Sequence, residues 1–429
     1  MTTGLLILSL LFFVRLRGQS LRETLDLTLE NNPHIKLQSA ELEKAHLQAR
    51  SAFRGTLPQI GFEASYRHAT DVAEIELPGM GGVIPSRSFQ LGVFDSYESG
   101  LNINYVLFKG FALQSGVRMK ENLREISRTI LNKSRKEIAL QTIVAYRTVQ
   151  NAMLELQALK AGAERSLSQL RRVRSLQEQG MALALDTLTL SLSVLNYHQK
   201  LIAAQARLET AELHLQNLAG QKIKAESFRA VELKGKLPQL QLNANEDLRG
   251  LDIRDMLLKN TLRARKAAYY PTIALQASYK YGKPGPDIVN NEWMTYGQLG
   301  IQLSWNLFRW NADRLEVQAA KTDLKKLSWR KQKARNQLNY AYEKARRELV
   351  SLKEQLKVVG AALEIARQKM EITRTQYEQG NRTAEEYASS NLEYSQAEIK
   401  QKQHILRLLL KINEIEFIAG RPISEWSIN

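Results

Sequence analysis

The chain has 429 residues, no cysteine and a formal net charge of +17. The lack of cysteine excludes disulfides, thiol catalysis, Cys-ligated zinc and a lipid-anchored N-terminal cysteine. With 44% hydrophobic residues, 24% charged residues and only 9 prolines, the composition argues against disorder and for long uninterrupted helices.

The N-terminus carries an almost wholly apolar run, Leu5 to Val14. About ten residues are too few for a membrane helix but suit the apolar centre of a secretory signal. Residues 1–20 are therefore predicted as an export signal, cut near Gly18 to Ser20. A first repeat unit is predicted over 21–220. It opens with a helical segment, 21–55, after which Pro58 starts a strand. In that strand Ile60, Phe62, Ala64 and Tyr66 oppose Gly61, Glu63, Ser65 and Arg67. This period of two predicts a sheet with one dry and one wet face. A Gly- and Pro-rich loop, 68–95, leads to a second strand ending at Phe108, so the hairpin is expected over about 57–108.

Long helices are predicted over 110–219, with a tip near Gly180. No proline falls between 110 and 178, and only Gly116 and Gly162 interrupt. At 1.5 Å per residue such a helix is on the order of 100 Å long, which requires a coiled coil or a bundle wall. Val194, Leu201, Leu208 and Leu215 recur every seven residues, and Tyr197, Ala204, Ala211 and Leu218 fill the second seam position.

After a linker, 221–245, the order repeats over 246–420. A helix comes first, then Pro271 opens a hairpin over about 271–308 whose second strand is expected to end at Phe308. Long helices follow over 310–419 with a tip near Gly380, then a C-terminal tail, 421–429. The duplication is visible residue by residue. Glu178-Gln179-Gly180 recurs as Glu378-Gln379-Gly380, Leu218-Ala219-Gly220 as Ile418-Ala419-Gly420, and the strand Leu101 to Phe108 as Ile301 to Phe308. The second copy lacks an Asn31-Asn32-Pro33 helix start and reads Asp252-Ile253-Arg254-Asp255 instead, so a different helix entry is expected there.

Two hairpins supply four strands. Four strands cannot close a barrel, and a membrane leaves no sheet edge open, so a membrane reading forces oligomerisation. Three chains would supply twelve strands.

The duplicated order, the proline-led strands, the alternating strands ending in Phe108 and Phe308, the tips after Gly180 and Gly380 and the Asn31-Asn32-Pro33 start together resemble the TolC-like outer-membrane efflux protein family. The resemblance covers nearly the whole chain after the signal. It implies an α+β membrane protein: a homotrimer with an outer-membrane β-barrel, four strands per chain, continued by a long α-helical coiled-coil barrel in the periplasm. It further implies passive conduction of small molecules, with energy from an inner-membrane pump (RND or ABC type) joined through a periplasmic adaptor (membrane fusion) protein. A type I protein-secretion component of the same family is the nearby alternative.

The expected site lies at the helix-to-helix tips. The resemblance implies that they converge into the periplasmic entrance and touch the adaptor, with Gly180, Leu183, Gly380, Arg382 and Thr383 as contacts. Asp186 and Glu386 each lie six residues past the tip glycine, with Glu385 beside the latter. Three-fold symmetry would make each a ring of carboxylates that attracts cations at a constriction. The competing account is a first-turn acid that stabilises a helix dipole. Arg171, Arg172 and Arg174 are expected on a solvated helix face. Tyr105, Phe108, Trp305 and Phe308 are expected as an aromatic belt against outer-membrane lipid.

The six histidines share no ligand-like spacing, and no nucleophile or phosphate-loop motif occurs. No catalysis, cofactor or metal is expected. The net charge invites a reading as a basic coiled coil binding nucleic acid or an anionic surface. The basic runs 118–136 and 321–335 are, however, interspersed with acids and apolar residues, and the strands have no role in that reading, so no nucleic acid is expected.

Overall fold

The computed structural model describes residues 19–77, 87–227, 239–287 and 291–428. The expected export signal lies, but for Gln19 and Ser20, outside the described residues.

The described chain runs α1 (Leu21–Asn31), α2 (Pro33–Arg54), β1 (Gln59–His68), β2 (Ala73–Leu77), β3 (Arg87–Leu91), β4 (Asp95–Lys109), α3 (Ala112–Glu178) and α4 (Ala184–Ala219). It continues with α5 (Glu246–Lys266), β5 (Thr272–Lys283), β6 (Met294–Ser304), α6 (Ala312–Glu378) and α7 (Ala384–Ile418). Two compact units share these elements. One takes the described residues up to Ala40 with Thr129–Arg249 and Gln332 onward, and the other takes Glu41–Arg128 and Gly250–Lys331. Each unit therefore draws on both repeats.

The single helical segment expected over 21–55 is two helices. Asn32 leaves helical geometry at ψ 124°, and its N–H donates to the Thr28 carbonyl. Its Oδ1 then accepts the His34 N–H at 2.9 Å and so starts α2. Pro33 suits the first helical position because it has no N–H to satisfy. The second copy does keep this device, contrary to expectation. The offset of 213 residues from Pro58 to Pro271 also carries Asn32 to Asn245. Asn245 Oδ1 accepts the Asp247 N–H at 3.0 Å at the start of α5. Glu246 takes the proline's place, and Asp252 to Asp255 lie inside the helix.

In the sheet unit, β1, β4, β5 and β6 pair antiparallel in that order. Ile60, Ile103, Ala277 and Leu299 form one cross-strand row, and Phe62, Leu101 and Tyr279 form another. The neighbouring rows are polar: Gly61, Asn102, Ser278 and Gln298, then Gln59, Asn104, Gln276 and Gly300. The alternation read from sequence thus becomes one apolar and one polar face. The apolar face is exposed, with Phe62 at 72% and Leu299 at 76%. Among the described residues β1 and β6 have one partner each, so both outer edges are open.

Two expectations are corrected here. The stretch 68–95, expected as a loop, holds a separate two-stranded sheet of β2 and β3, while the main sheet has the four strands expected. The last strand ends at Ser304, not at Phe308, and Trp305 and Phe308 lie outside it. Ser304 pairs with Thr272, the first residue of β5. The residue before it is Pro271, which has no N–H to extend the ladder. β4 reaches Lys109 by a register shift between Val106 and Phe108.

In the helical unit, Leu25, Ile143, Tyr146, Val149, Leu215, Ile223 and Trp426 form a core where α1, α3, α4 and the C-terminal tail meet. Buried Glu416 holds the tail, accepting from the Ser427 N–H and from its hydroxyl at 2.7 Å. Of the seven-residue stripe on α4, Tyr197, Ala204, Ala211 and Leu215 are buried. A second stripe on the same helix, Leu185, Leu188, Leu192, Leu195 and Ile202, is exposed. No helix among the described residues is long and apolar enough to cross a membrane.

Candidate functional site

The two tips share one backbone. Gly180 and Gly380 take φ of 73° and 77°, a region open to glycine because it has no Cβ. The N–H groups of Gly180 and Met181 reach back to the carbonyls of Gln177 and Leu176, and those of Gly380 and Asn381 to Tyr377 and Gln376. Each pair closes the preceding helix by the same two crossed bonds.

The side chains then diverge. At the second tip Thr383 caps α7: its Oγ1 accepts the Glu386 N–H at 3.2 Å, and Glu386 Oε2 accepts the Thr383 N–H at 2.9 Å. Arg382 donates to the other carboxylate oxygen. The Thr383 N–H, and after it the Arg382 guanidinium, hold the Glu386 carboxyl below the ordinary glutamate range. Arg382, Thr383 and Glu386, separate candidates in the sequence, are thus one cap. At the first tip Leu183 holds the capping position with no side-chain bond and is 69% exposed. Thr187 Oγ1 donates instead to Gln177 Oε1 at 2.6 Å.

Leu170, Val173, Leu190, Ala384 and Tyr387 bury one another between the tips. The Tyr377 ring stacks on Tyr387, with centroids 5.9 Å apart. Burial, and next the nearby Asp186 carboxylate, push the Tyr377 hydroxyl up to about 12. Arg172 binds Glu378 at 2.8 Å, so it cross-links α3 and α6 rather than only facing solvent; Arg171 and Arg174 are exposed. Glu385 is exposed and lines two grooves. One, of about 700 Å³, runs between α6 and α7 beside Arg382; the other, of about 480 Å³, runs between α4 and α7 beside Leu192.

A buried polar network behind the tips escaped the sequence reading. Arg165 donates to Asn391 Oδ1 at 2.6 Å and to Ser395 Oγ at 2.9 Å. Asn391 Nδ2 donates to the Gly162 carbonyl at 3.2 Å, and Tyr197 OH lies 3.3 Å from Ser395 Oγ. A Cβ on Gly162 would sit 2.6 Å from the Tyr197 ring. The only sequence signal was that glycine, interrupting a proline-free helix where α4 and α7 come close.

The aromatic candidates separate in the sheet unit. Tyr105 pairs with Leu275 on the apolar face. Phe108 packs edge-on against Phe111 at 5.6 Å and Tyr270 at 6.3 Å. Trp305 and Phe308 are exposed beyond β6, with Phe308 against Trp310 at 5.1 Å. The strand-to-helix corners match: Gly110 and Phe111 in one copy, Trp310 and Asn311 in the other, all have positive φ. A second aromatic set lies at the opposite strand ends, where Tyr66 stacks on Tyr97 at 5.0 Å and Tyr281 on Trp293 at 4.9 Å. About ten strand residues at about 3.3 Å each lie between the two sets, which at the tilt of about 40° usual in membrane barrels would correspond to about 25 Å, the height of an apolar membrane band.

The sequence matches the family described as outer membrane efflux protein over residues 24–221 and 237–421. Among solved structures the fold is similar to CusC, with a TM-score of 0.79 at 13% identity over 94% of this chain and 93% of that one. It is similar to the CmeC outer membrane channel of Campylobacter jejuni, with a TM-score of 0.77 at 16% identity over 93% of this chain and 85% of that one. VceC, an outer membrane protein of Vibrio cholerae, gives 0.76 at 15% identity over 94% and 96%. At these identities the likeness establishes the fold. A comparison with curated protein sequences finds no match.

Proposed function

The chain belongs to the outer membrane efflux protein family and is an outer-membrane channel protein, not an enzyme; from that membership we propose that it is the passive exit channel of a tripartite export system for small molecules. One observation carries the reading: a four-stranded sheet with an exposed apolar face, a polar opposite face and two open edges. Lipid offers those edges no hydrogen bonds, so copies of the chain must pair them. Three copies give a closed twelve-stranded barrel whose polar faces line a lumen. The two aromatic sets serve as its interfacial belts, Phe108, Trp305 and Phe308 on the helix side, with Tyr105 one row inside them. In detergent the purified protein is expected as a trimer by light scattering; a monomer soluble without detergent would refute the barrel.

The tips are the proposed periplasmic entrance, and the grooves flanking Glu385 the adaptor contact, with Gly180, Leu183, Gly380, Arg382 and Thr383 shaping its surface. Glu386 is occupied by its cap and Arg382, so Asp186 and Glu385 carry the cation preference. Replacing both by their amides should lower cation selectivity in planar bilayers. Unchanged selectivity would leave them as first-turn acids only. Co-purification of an inner-membrane pump with an adaptor would identify the energy source, and a pump paired with a large secreted protein would favour type I secretion instead.

A further inference from the structure

The internal repeat places Lys200 and Arg207 on α4 and Lys400 and Arg407 on α7, each pair seven residues apart and each residue 200 positions from its counterpart. All four line one groove of about 530 Å³ formed by α3, α4 and α7. Seven residues are two helical turns, so each pair stands on one face of its helix. Leu159, Leu392 and Ile399 supply apolar lining. Glu155 is the one acid there, and Arg207 already binds it at 2.7 Å. Among the described residues Lys200, Lys400 and Arg407 have no ion-pair partner.

His404 lines the same groove, is only 7% exposed, and has an Nδ1 with no hydrogen-bond partner. A buried polar atom without a partner is costly unless something arrives to bond it. Burial, then Arg407 and Lys400, lower the His404 pKa and favour its neutral ring. A neutral ring offers a hydrogen-bond donor or acceptor beside cations that lack a counter-ion.

We propose that this groove is a binding site for an amphipathic organic anion, its carboxylate or sulfonate held by Lys400, Arg407 and Lys200 and its apolar body lying on Leu159, Leu392 and Ile399. The volume falls within the 300–1,000 Å³ or so of small-molecule sites, and the mixture of apolar lining with a few convergent polar groups is the one such sites use. The site is built from side chains of one helical unit and does not depend on the export reading.

The test is calorimetric titration of the intact protein in a neutral maltoside detergent with three probes: 2-naphthoate, 2-naphthylmethylammonium and inorganic phosphate. The expected result is saturable binding of one naphthoate per chain, about tenfold or more tighter than either the ammonium analogue or phosphate, a ratio worth one charge-assisted hydrogen bond. Lys400→Gln with Arg407→Gln should weaken naphthoate by about the same factor, and Lys357→Gln, outside the groove, should leave it unchanged. Equal binding of the two naphthyl probes, phosphate binding as tight as naphthoate, no binding, or full affinity in the double variant would each overturn the proposal. The three-probe comparison uses the unmodified protein, so it decides the matter even where a variant does not fold.

Discussion

The two helix tips are the most instructive pair of regions in the molecule. Their backbones match, with the same glycine geometry and the same two reverse bonds. Their side chains do not. The second tip is closed by Thr383, Glu386 and Arg382 and rests on buried Tyr387. The first presents Met181, Leu183, Leu185 and Leu188 to its surroundings, and Thr187 stands where the other tip has Tyr387. One tip is therefore stabilised within its own chain, and the other carries apolar surface for something else to cover. Duplication preserved the conformation and released the chemistry.

The largest test of that contrast is Tyr387→Ala. Deleting a fully buried aromatic should cost about 3–5 kcal/mol, seen as a lowered thermal midpoint by circular dichroism. Thr187→Ala at the matching position removes only one exposed hydrogen bond and should cost under about 1 kcal/mol. Equal losses would show that the tips are alike. Asn391→Ala should cost about 2 kcal/mol, because it strips a hydrogen bond from the Arg165 guanidinium. Hydrogen exchange should report it as faster opening of α7 near Gly162, with no change at the first tip's turn.

Smaller effects refine the picture. Thr383→Ala should cost about 1 kcal/mol, and Leu183→Ser should return a few tenths to about 1 kcal/mol by giving α4 the cap it lacks. Loss of stability in the second variant would mean that the exposed leucine already has a partner. The smallest expected effect is pH dependence. The folded pKa of Glu386 is depressed, so its contribution is complete above the ordinary glutamate range and disappears as pH falls through the lowered value. The difference in thermal midpoint between the protein and Glu386→Gln should accordingly shrink with acidification. A difference that grew would contradict the capping role.

Much of the fold was legible because it rests on local rules. The alternation in Ile60 to Tyr66 and Leu299 to Leu303 set the two faces of the sheet, and the glycines at 180 and 380 set the turns. The errors arose where an element's end depends on its neighbour. Phe308 looked like a strand residue by its match to Phe108, but the ladder stops where Pro271 has nothing to donate. Asn245 is not recognisable as the counterpart of Asn32 from an Asn-Pro pair, because Glu246 follows it and the cap needs only the asparagine.

At the site, the sequence alone could nominate Asp186, Glu386 and Arg382, since position after a turn is a one-dimensional property. It could not say that Arg382 and Glu386 neutralise each other, which depends on rotamers, nor that Arg165 meets Asn391, 226 residues away. By itself the sequence determined the repeat, the two long helices that lead to the tips, the alternating strands and the conformation of both tips, because each is written in periodicity or in the freedom of a single residue. Only the tertiary structure decided which carboxylates are occupied, where the sheet ends and which four cations share a groove, because those depend on distances between side chains that the chain order does not contain.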